Sequence, residues 1–236
     1  MEAPSSPYPV VGSVFWILSR PRAWEREHQQ MEVSPRIKIC GITRVDDGLI
    51  AAESGVDAIG LVFYRKSRRY VTVEQAMEIV RALPPFVSVV GLFVDASDEL
   101  IQSVLGAVPL SLLQFHGNEP ETECARWGVR YIKAFRVRPD IAVAEMVAPY
   151  TTACGYLLDS YKAGEVGGTG ESFDWDLIPH KLNKPVVLAG GLSPDNIVQA
   201  VNRVRPYGVD VSSGVESQPG IKDHDKIKAF IKAAGR

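Results

Sequence analysis

From Arg36 to the C-terminus, short apolar runs alternate with segments of helical period, and the alternation repeats eight times. Strands are expected at Arg36–Cys40, Ala58–Phe63, Val87–Val94, Ser111–Gln114, Tyr131–Phe135, Gly155–Leu158, Val186–Ala189 and Gly208–Ser212. Between them, helices are expected at Val45–Ser54, Val73–Leu83, Asp98–Leu105, Pro120–Trp127, Ile141–Ala148, Trp175–Ile178, Pro194–Val201 and Asp223–Ala234. Ser193-Pro194 carries the signal for the start of the seventh helix, and Asp223 can cap the last. Strand and helix in strict alternation imply α/β architecture with a parallel sheet. Eight units in about 200 residues imply a closed (β/α)8 TIM barrel near the short end of its size range, as a single domain over residues 36–236. An open, doubly wound sheet is the alternative. The first strand–helix turn, Cys40-Gly41-Ile42-Thr43, lacks the G-x-G-x-x-G that such a sheet would place there.

Residues 1–35 read as a poorly ordered N-terminal extension. The apolar run Tyr8–Leu18 has the length of a signal-peptide core, but Glu2 stands where a basic residue belongs and Pro9 interrupts the run. Met31 lies five residues before the first strand and is a candidate start of the working chain. A net charge of -2 gives no field for nucleic acid or an anionic membrane, so an anionic substrate has to be caught by a local site. Cys40, Cys124 and Cys154 fit neither a disulfide framework nor a zinc pattern, and the four histidines show no metal-binding spacing. A cytoplasmic protein without a metal is the expectation. No apolar run approaches the roughly 18 residues of a membrane span.

In a barrel of this kind, chemistry sits at the C-terminal ends of the strands. The first strand puts Lys38 and Cys40 on one face and Ile37 and Ile39 on the other. A lone cysteine after apolar residues is most often a core residue. Here it ends a strand, precedes Gly41 and shares its face with an ammonium that favours thiolate over thiol. Asp159 ends the sixth strand, and no good helix signal follows it for about a dozen residues. Instead comes Gly164-Glu165-Val166-Gly167-Gly168-Thr169-Gly170, a loop able to close over a ligand and offer N–H groups to an anion. After the seventh and eighth strands, Gly190-Gly191 and Ser212-Ser213-Gly214 form small-residue turns where such barrels commonly bind phosphate. Gly191, Ser213 and Gly214 are the expected main-chain donors. Arg69, in Ser67-Arg68-Arg69-Tyr70, is placed to grip a carboxylate. Gln114 and His116 are in phase at the end of the fourth strand; Asp95 and Arg136 occupy equivalent positions without an assigned role.

Several of these motifs together resemble one family. K-I-C-G-I-T at 38–43, D-A-I-G-L-V-F-Y-x-K-S-x-R-Y at 57–70, L-P-P-F-V at 83–87, Q-x-H-G at 114–117 and L-L-D at 157–159 are similar to phosphoribosylanthranilate isomerases. So are G-G-T-G-x-x-F-D-W at 167–175, A-G-G-L-x-P-x-N at 189–196 and V-D-V-S-S-G-V-E at 209–216. The resemblance runs in order from Arg36 onward and leaves the extension out. It implies a small (β/α)8 enzyme of tryptophan biosynthesis that converts N-(5-phosphoribosyl)anthranilate into 1-(2-carboxyphenylamino)-1-deoxyribulose 5-phosphate. By the same resemblance Cys40 is the general base, Asp159 the general acid, and Arg69 the arginine near the anthranilate end. Gly168, Gly190, Gly191, Ser212, Ser213 and Gly214 make the phosphate cradle, and Lys38, Gln114, His116 and Asp210 are further substrate contacts. Asp159 would open the ribosylamine ring by protonating its oxygen, and the resulting iminium would acidify C2′ for removal of its proton by Cys40. No cofactor is implied, and the only partner is a small-molecule phosphorylated amino-sugar, with no nucleic acid and no membrane. Two rivals are an isomerase of histidine-pathway type and a non-catalytic phosphate-binding barrel. Against the first, the opening strand ends in cysteine and the first half has no second glycine-rich phosphate turn. Against the second, both groups of an acid–base pair are present.

Overall fold

The computed structural model describes residues 34–160, 174–179 and 181–236. Eight parallel strands close into a barrel in sequence order: β1 (Arg36–Cys40), β2 (Ala58–Val62), β3 (Ser88–Phe93), β4 (Leu112–Phe115), β5 (Tyr131–Val137), β6 (Gly155–Ser160), β7 (Val186–Leu188) and β8 (Gly208–Val211). The ring is sealed where β1 pairs with β8, in a register that sets Lys38 beside Asp210. Period-2 alternation decides what each strand shows to the inside. Ile37 and Ile39 of β1, Ile59 and Leu61 of β2, and Val209 and Val211 of β8 pack outward into the main core beneath the helices. Ile37 and Ile39 are fully buried, and each such side chain stabilises the fold by about 1.5–3 kcal/mol. Lys38, Cys40, Gly60 and Asp210 are left on the inner face.

Helices α1 (Val45–Glu53), α2 (Val73–Ala82), α3 (Asp98–Ala107), α4 (Glu121–Ala125), α5 (Val143–Val147), α6 (Ile197–Val204) and α7 (His224–Ala233) follow the strands. Local chemistry fixes several starts. Thr72 and Gln75 form a reciprocal capping box on α2, and Asp223 accepts from the N–H groups of Asp225 and Lys226 to open α7.

Three expectations need correction. Trp175–Leu177 is a single 3₁₀ turn rather than a helix, set by the Asp174 carboxylate accepting from Asp176 N–H. The seventh helix starts at Ile197 and not at Pro194. Asn196 reaches back to accept from Ser193 N–H and to donate to the Gly191 carbonyl, which makes residues 191–196 a closed turn ahead of the helix. Between β8 and α7 the sequence suggested only a turn. The chain instead makes a 3₁₀ turn (Ser213–Val215) and a small hairpin, β9 (Glu216–Gln218) with β10 (Ile221–Lys222). Among the described residues no helix is long and apolar enough to cross a membrane.

Candidate active site

At the C-terminal end of the barrel the inward side chains open into a cleft of about 730 Å³, counting its open mouth, which suits a small-molecule ligand. Cys40, Arg69, Gln114, His116, Asp159 and Asp210 all line it, although they come from five different strand ends. Gly190, Gly191, Ser212 and Ser213 form one side. Val62, Tyr64, Leu92, Val94 and Leu192 add an apolar wall to which no role was assigned from the sequence. Two expected residues stand apart. Lys38 lies below the cleft without lining it, and Gly168, with the glycine-rich loop around it, falls outside the described residues. Asp95 braces the neighbouring loops, accepting from Asn118 N–H at 2.6 Å, while Arg136 sits in register with Asp159.

Cys40 is held in a charged environment. The Lys38 ammonium reaches both oxygens of Asp210 at 2.9 Å, and both side chains are almost wholly buried. Burial works against the charge on Lys38, but Asp210 and the neighbouring Cys40 raise its pKa above the ordinary lysine value. Burial pushes Asp210 the other way, toward the neutral acid. With both oxygens at equal distance from one ammonium, the pair is ionised. The same burial pushes the Cys40 thiol up, and Lys38 and Lys222 pull it back toward the thiolate while Asp210 opposes them. Space for this arrangement depends on Gly60: a Cβ there would lie 2.8 Å from Cys40 Sγ and 3.1 Å from Lys38 Nζ.

A second charged group joins β1 to the end of β8. Glu216 accepts from Arg69 Nε and Nη2, both at 2.7 Å, and from Lys222 Nζ at 2.8 Å. Burial alone would raise the Glu216 carboxyl, but its two cationic partners hold it below the usual range. Lys222 also donates to the Cys40 carbonyl at 2.7 Å. No role for Glu216 or Lys222 was apparent from the residues alone. The one available signal was that Glu216 closes the V-D-V-S-S-G-V-E motif at 209–216.

Opposite Cys40, His116 Nε2 lies 3.2 Å from Asp159 Oδ2 without forming a hydrogen bond. Its Nδ1 is 3.0 Å from Gln114 Nε2. With the amide nitrogen donating, Nδ1 accepts, so the neutral ring carries its proton on the nitrogen facing Asp159. Gln114 Oε1 is then a buried acceptor with no partner among the described residues.

The turns after β7 and β8 touch. A Cβ at Gly214 would fall 1.9 Å from the Leu192 carbonyl oxygen, so only glycine lets the β8 turn pack against the β7 turn. Among the described residues, the N–H groups of Gly190, Gly191, Ser213 and Gly214 donate to no acceptor, which leaves several main-chain donors beside the cleft.

The family model described as N-(5′-phosphoribosyl)anthranilate (PRA) isomerase matches residues 37–233. An N-(5′-phosphoribosyl)anthranilate isomerase of Pseudomonas fluorescens is 59% identical over 198 residues, covering 84% of this chain and 97% of its own. The crystal structure of the phosphoribosylanthranilate isomerase of Thermotoga maritima superposes with a TM-score of 0.78 at 45% identity, over 85% of this chain and 98% of that one. An isomerase solved in complex with reduced 1-(o-carboxyphenylamino)-1-deoxyribulose 5-phosphate gives a TM-score of 0.73 at 42% identity, with the same two coverages.

Proposed function

The chain belongs to the N-(5′-phosphoribosyl)anthranilate isomerase family, and from that premise we propose that Cys40 is the base and Asp159 the acid of its reaction. The enzyme catalyses the Amadori rearrangement of N-(5′-phosphoribosyl)anthranilate to 1-(2-carboxyphenylamino)-1-deoxyribulose 5-phosphate, a step of tryptophan biosynthesis. The observation that carries the assignment of roles is the placement of Cys40 and Asp159. Both are inward-facing, both line the same cleft, and the small-residue turns stand to one side.

The phosphate of the substrate binds at the N–H groups of Gly190, Gly191, Ser213 and Gly214, and Gly168 is assigned to the same cradle from the resemblance alone. The anthranilate carboxylate lies toward Arg69, whose guanidinium is kept protonated and aimed by Glu216. Gln114 Oε1 accepts from a sugar hydroxyl. So anchored, the ring oxygen faces Asp159, which gives it a proton as the C1′–O bond breaks. The electron pair of the anilino nitrogen makes the iminium, and the C2′–H bond weakens. Cys40, as thiolate, takes that proton, and the enolamine tautomerises to the ketose. At the end of the cycle the Cys40 thiol holds one extra proton and Asp159 lacks one, so transfer of that proton through solvent restores both groups, while His116 lies beside Asp159 and orients it. Asp210 and Lys38 act beneath the substrate as an ion pair.

Cys40, Cys124 and Cys154 are all free thiols, which supports a reducing, cytoplasmic setting. The family match begins at residue 37, which supports treating residues 36–236 as the catalytic barrel and 1–35 as an addition to it. The test is a fluorescence assay of substrate loss on wild type, Cys40→Ala and Asp159→Asn. Both variants are expected to bind substrate and fail to turn it over. Near-normal turnover by either one removes that residue from its role.

A further inference from the structure

The β9–β10 hairpin returns Lys222 to a point beneath the mouth of the barrel, where its side chain is wholly shielded from solvent. An ammonium there is expensive unless each of its three protons finds an oxygen. They do: the Cys40 carbonyl at 2.7 Å, Glu216 Oε1 at 2.8 Å and the Ser212 carbonyl at 3.1 Å. Ser212 Oγ donates to the same Cys40 carbonyl at 3.0 Å. Lys222 is itself fixed from behind, because its N–H donates to the fully buried Asp47 of α1 at 3.0 Å. An apolar side chain of this size would close the barrel at least as well. The ammonium does two things that an apolar group cannot. It holds the ends of two strands at one point, and it places positive charge beside the thiol.

The charge balance around Cys40 shows why the second effect matters. The groups that face it are Lys38 from β1, Asp210 from β8, Arg69 from the loop after β2, and Lys222 from β10. Lys38 is paired with both oxygens of Asp210, which offsets part of its charge, and it also interacts with the Cys40 thiol. Arg69 and Lys222 share the single carboxylate of Glu216, so this trio keeps one surplus positive charge. The trio therefore adds its charge to the pull that Lys38 exerts on the thiol, a pull that Asp210 offsets in part.

We propose that Lys222 is a positioning residue of the isomerase: its ammonium pins the end of β1 that carries Cys40 to the Ser212 turn and supplies surplus positive charge to the thiolate. This rests on Cys40 being the base. Its test reads the thiol itself, so that the two ideas fail separately. The rate of Cys40 alkylation by iodoacetamide is followed against pH, resolved by peptide mass spectrometry, in wild type, Lys222→Met and Lys222→Arg, alongside kcat/KM. Thermal unfolding confirms that each variant is folded. Lys222→Met is expected to move the alkylation midpoint up by about 1 pH unit, with a fall of about tenfold in kcat/KM at neutral pH. Lys222→Arg, which keeps the charge, is expected to bring the midpoint back toward wild type. Where Lys222→Met does not fold, Lys222→Gln keeps hydrogen-bond donors without the charge and is expected to show the same upward shift. A folded, uncharged variant whose midpoint stays at the wild-type value overturns the proposal. A raised midpoint with unchanged kcat/KM upholds the electrostatic role of Lys222 and overturns Cys40 as the base.

Discussion

Around Cys40 the barrel is tied with permanent charge: Lys38 on Asp210, and Lys222 and Arg69 on Glu216, all buried or nearly so. Across the mouth, Asp159 faces His116, whose own charge depends on a proton, with Gln114 behind it. The difference follows from what each group has to do. A thiol buried in an apolar setting resists ionisation, and only fixed cations can offset that. A general acid must give up a proton and recover it in every cycle, so a fixed cation beside it would trap it as the anion. A neighbour that can itself carry a proton avoids that trap. One side is built to hold a charge and the other to pass one along.

The strongest way to break this contrast is to remove the reacting groups. Cys40→Ala and Asp159→Asn are each expected to lower kcat by about 10²–10⁴-fold with substrate affinity largely retained, as read by the fluorescence assay and by titration of a product analogue. The fixed character of the Cys40 side is tested by Lys38→Met, which strands a buried carboxylate. A loss of about 3–5 kcal/mol in urea unfolding is expected, and unchanged stability would show that Asp210 does not depend on its partner. The passing character of the Asp159 side predicts a milder result for His116→Gln. That variant should fold with wild-type stability and lose about tenfold in kcat, less than the roughly 10²–10⁴-fold expected of a group that itself transfers the proton. If it lost stability as Lys38→Met does, the two sides would be built alike. At the small end, a chain beginning at Met31 is expected to match the full-length rate and solubility. Loss of either would make residues 1–30 part of the working structure.

The barrel was legible because its strands obey a simple rule. Arg36–Cys40 alternates strictly, and the structure starts and ends β1 at those same residues. Of the groups named at strand ends on this rule, Cys40, Gln114, His116 and Asp159 line the cleft, whereas Asp95 and Arg136 do not. Lys38 is the instructive case. Its face was correct, but its partner Asp210 stands 172 positions away and becomes a neighbour only when β8 closes on β1. Lys38 favours the Cys40 thiolate, as its place on that face suggested, but Asp210 offsets part of its effect. Glu216 and Lys222 were not legible as site residues at all. They sit on strands of three and two residues, too short for periodicity to register, and the bend between them needs Gly220 at a φ of 85°. Gly60 was equally silent, because a glycine in a strand shows its purpose only when the sulfur and ammonium beside it are in place.

The pH dependence of Cys40 ties these points together. Burial holds its thiol above the ordinary value in the free enzyme, so the thiolate fraction and any rate that depends on it should both increase as pH rises through that raised midpoint. Wild-type kcat/KM and the rate of Cys40 alkylation, measured in the same series of buffers, are expected to rise together with one shared midpoint. A kcat/KM that stays level while the thiol titrates would mean that something other than the Cys40 thiolate removes the C2′ proton.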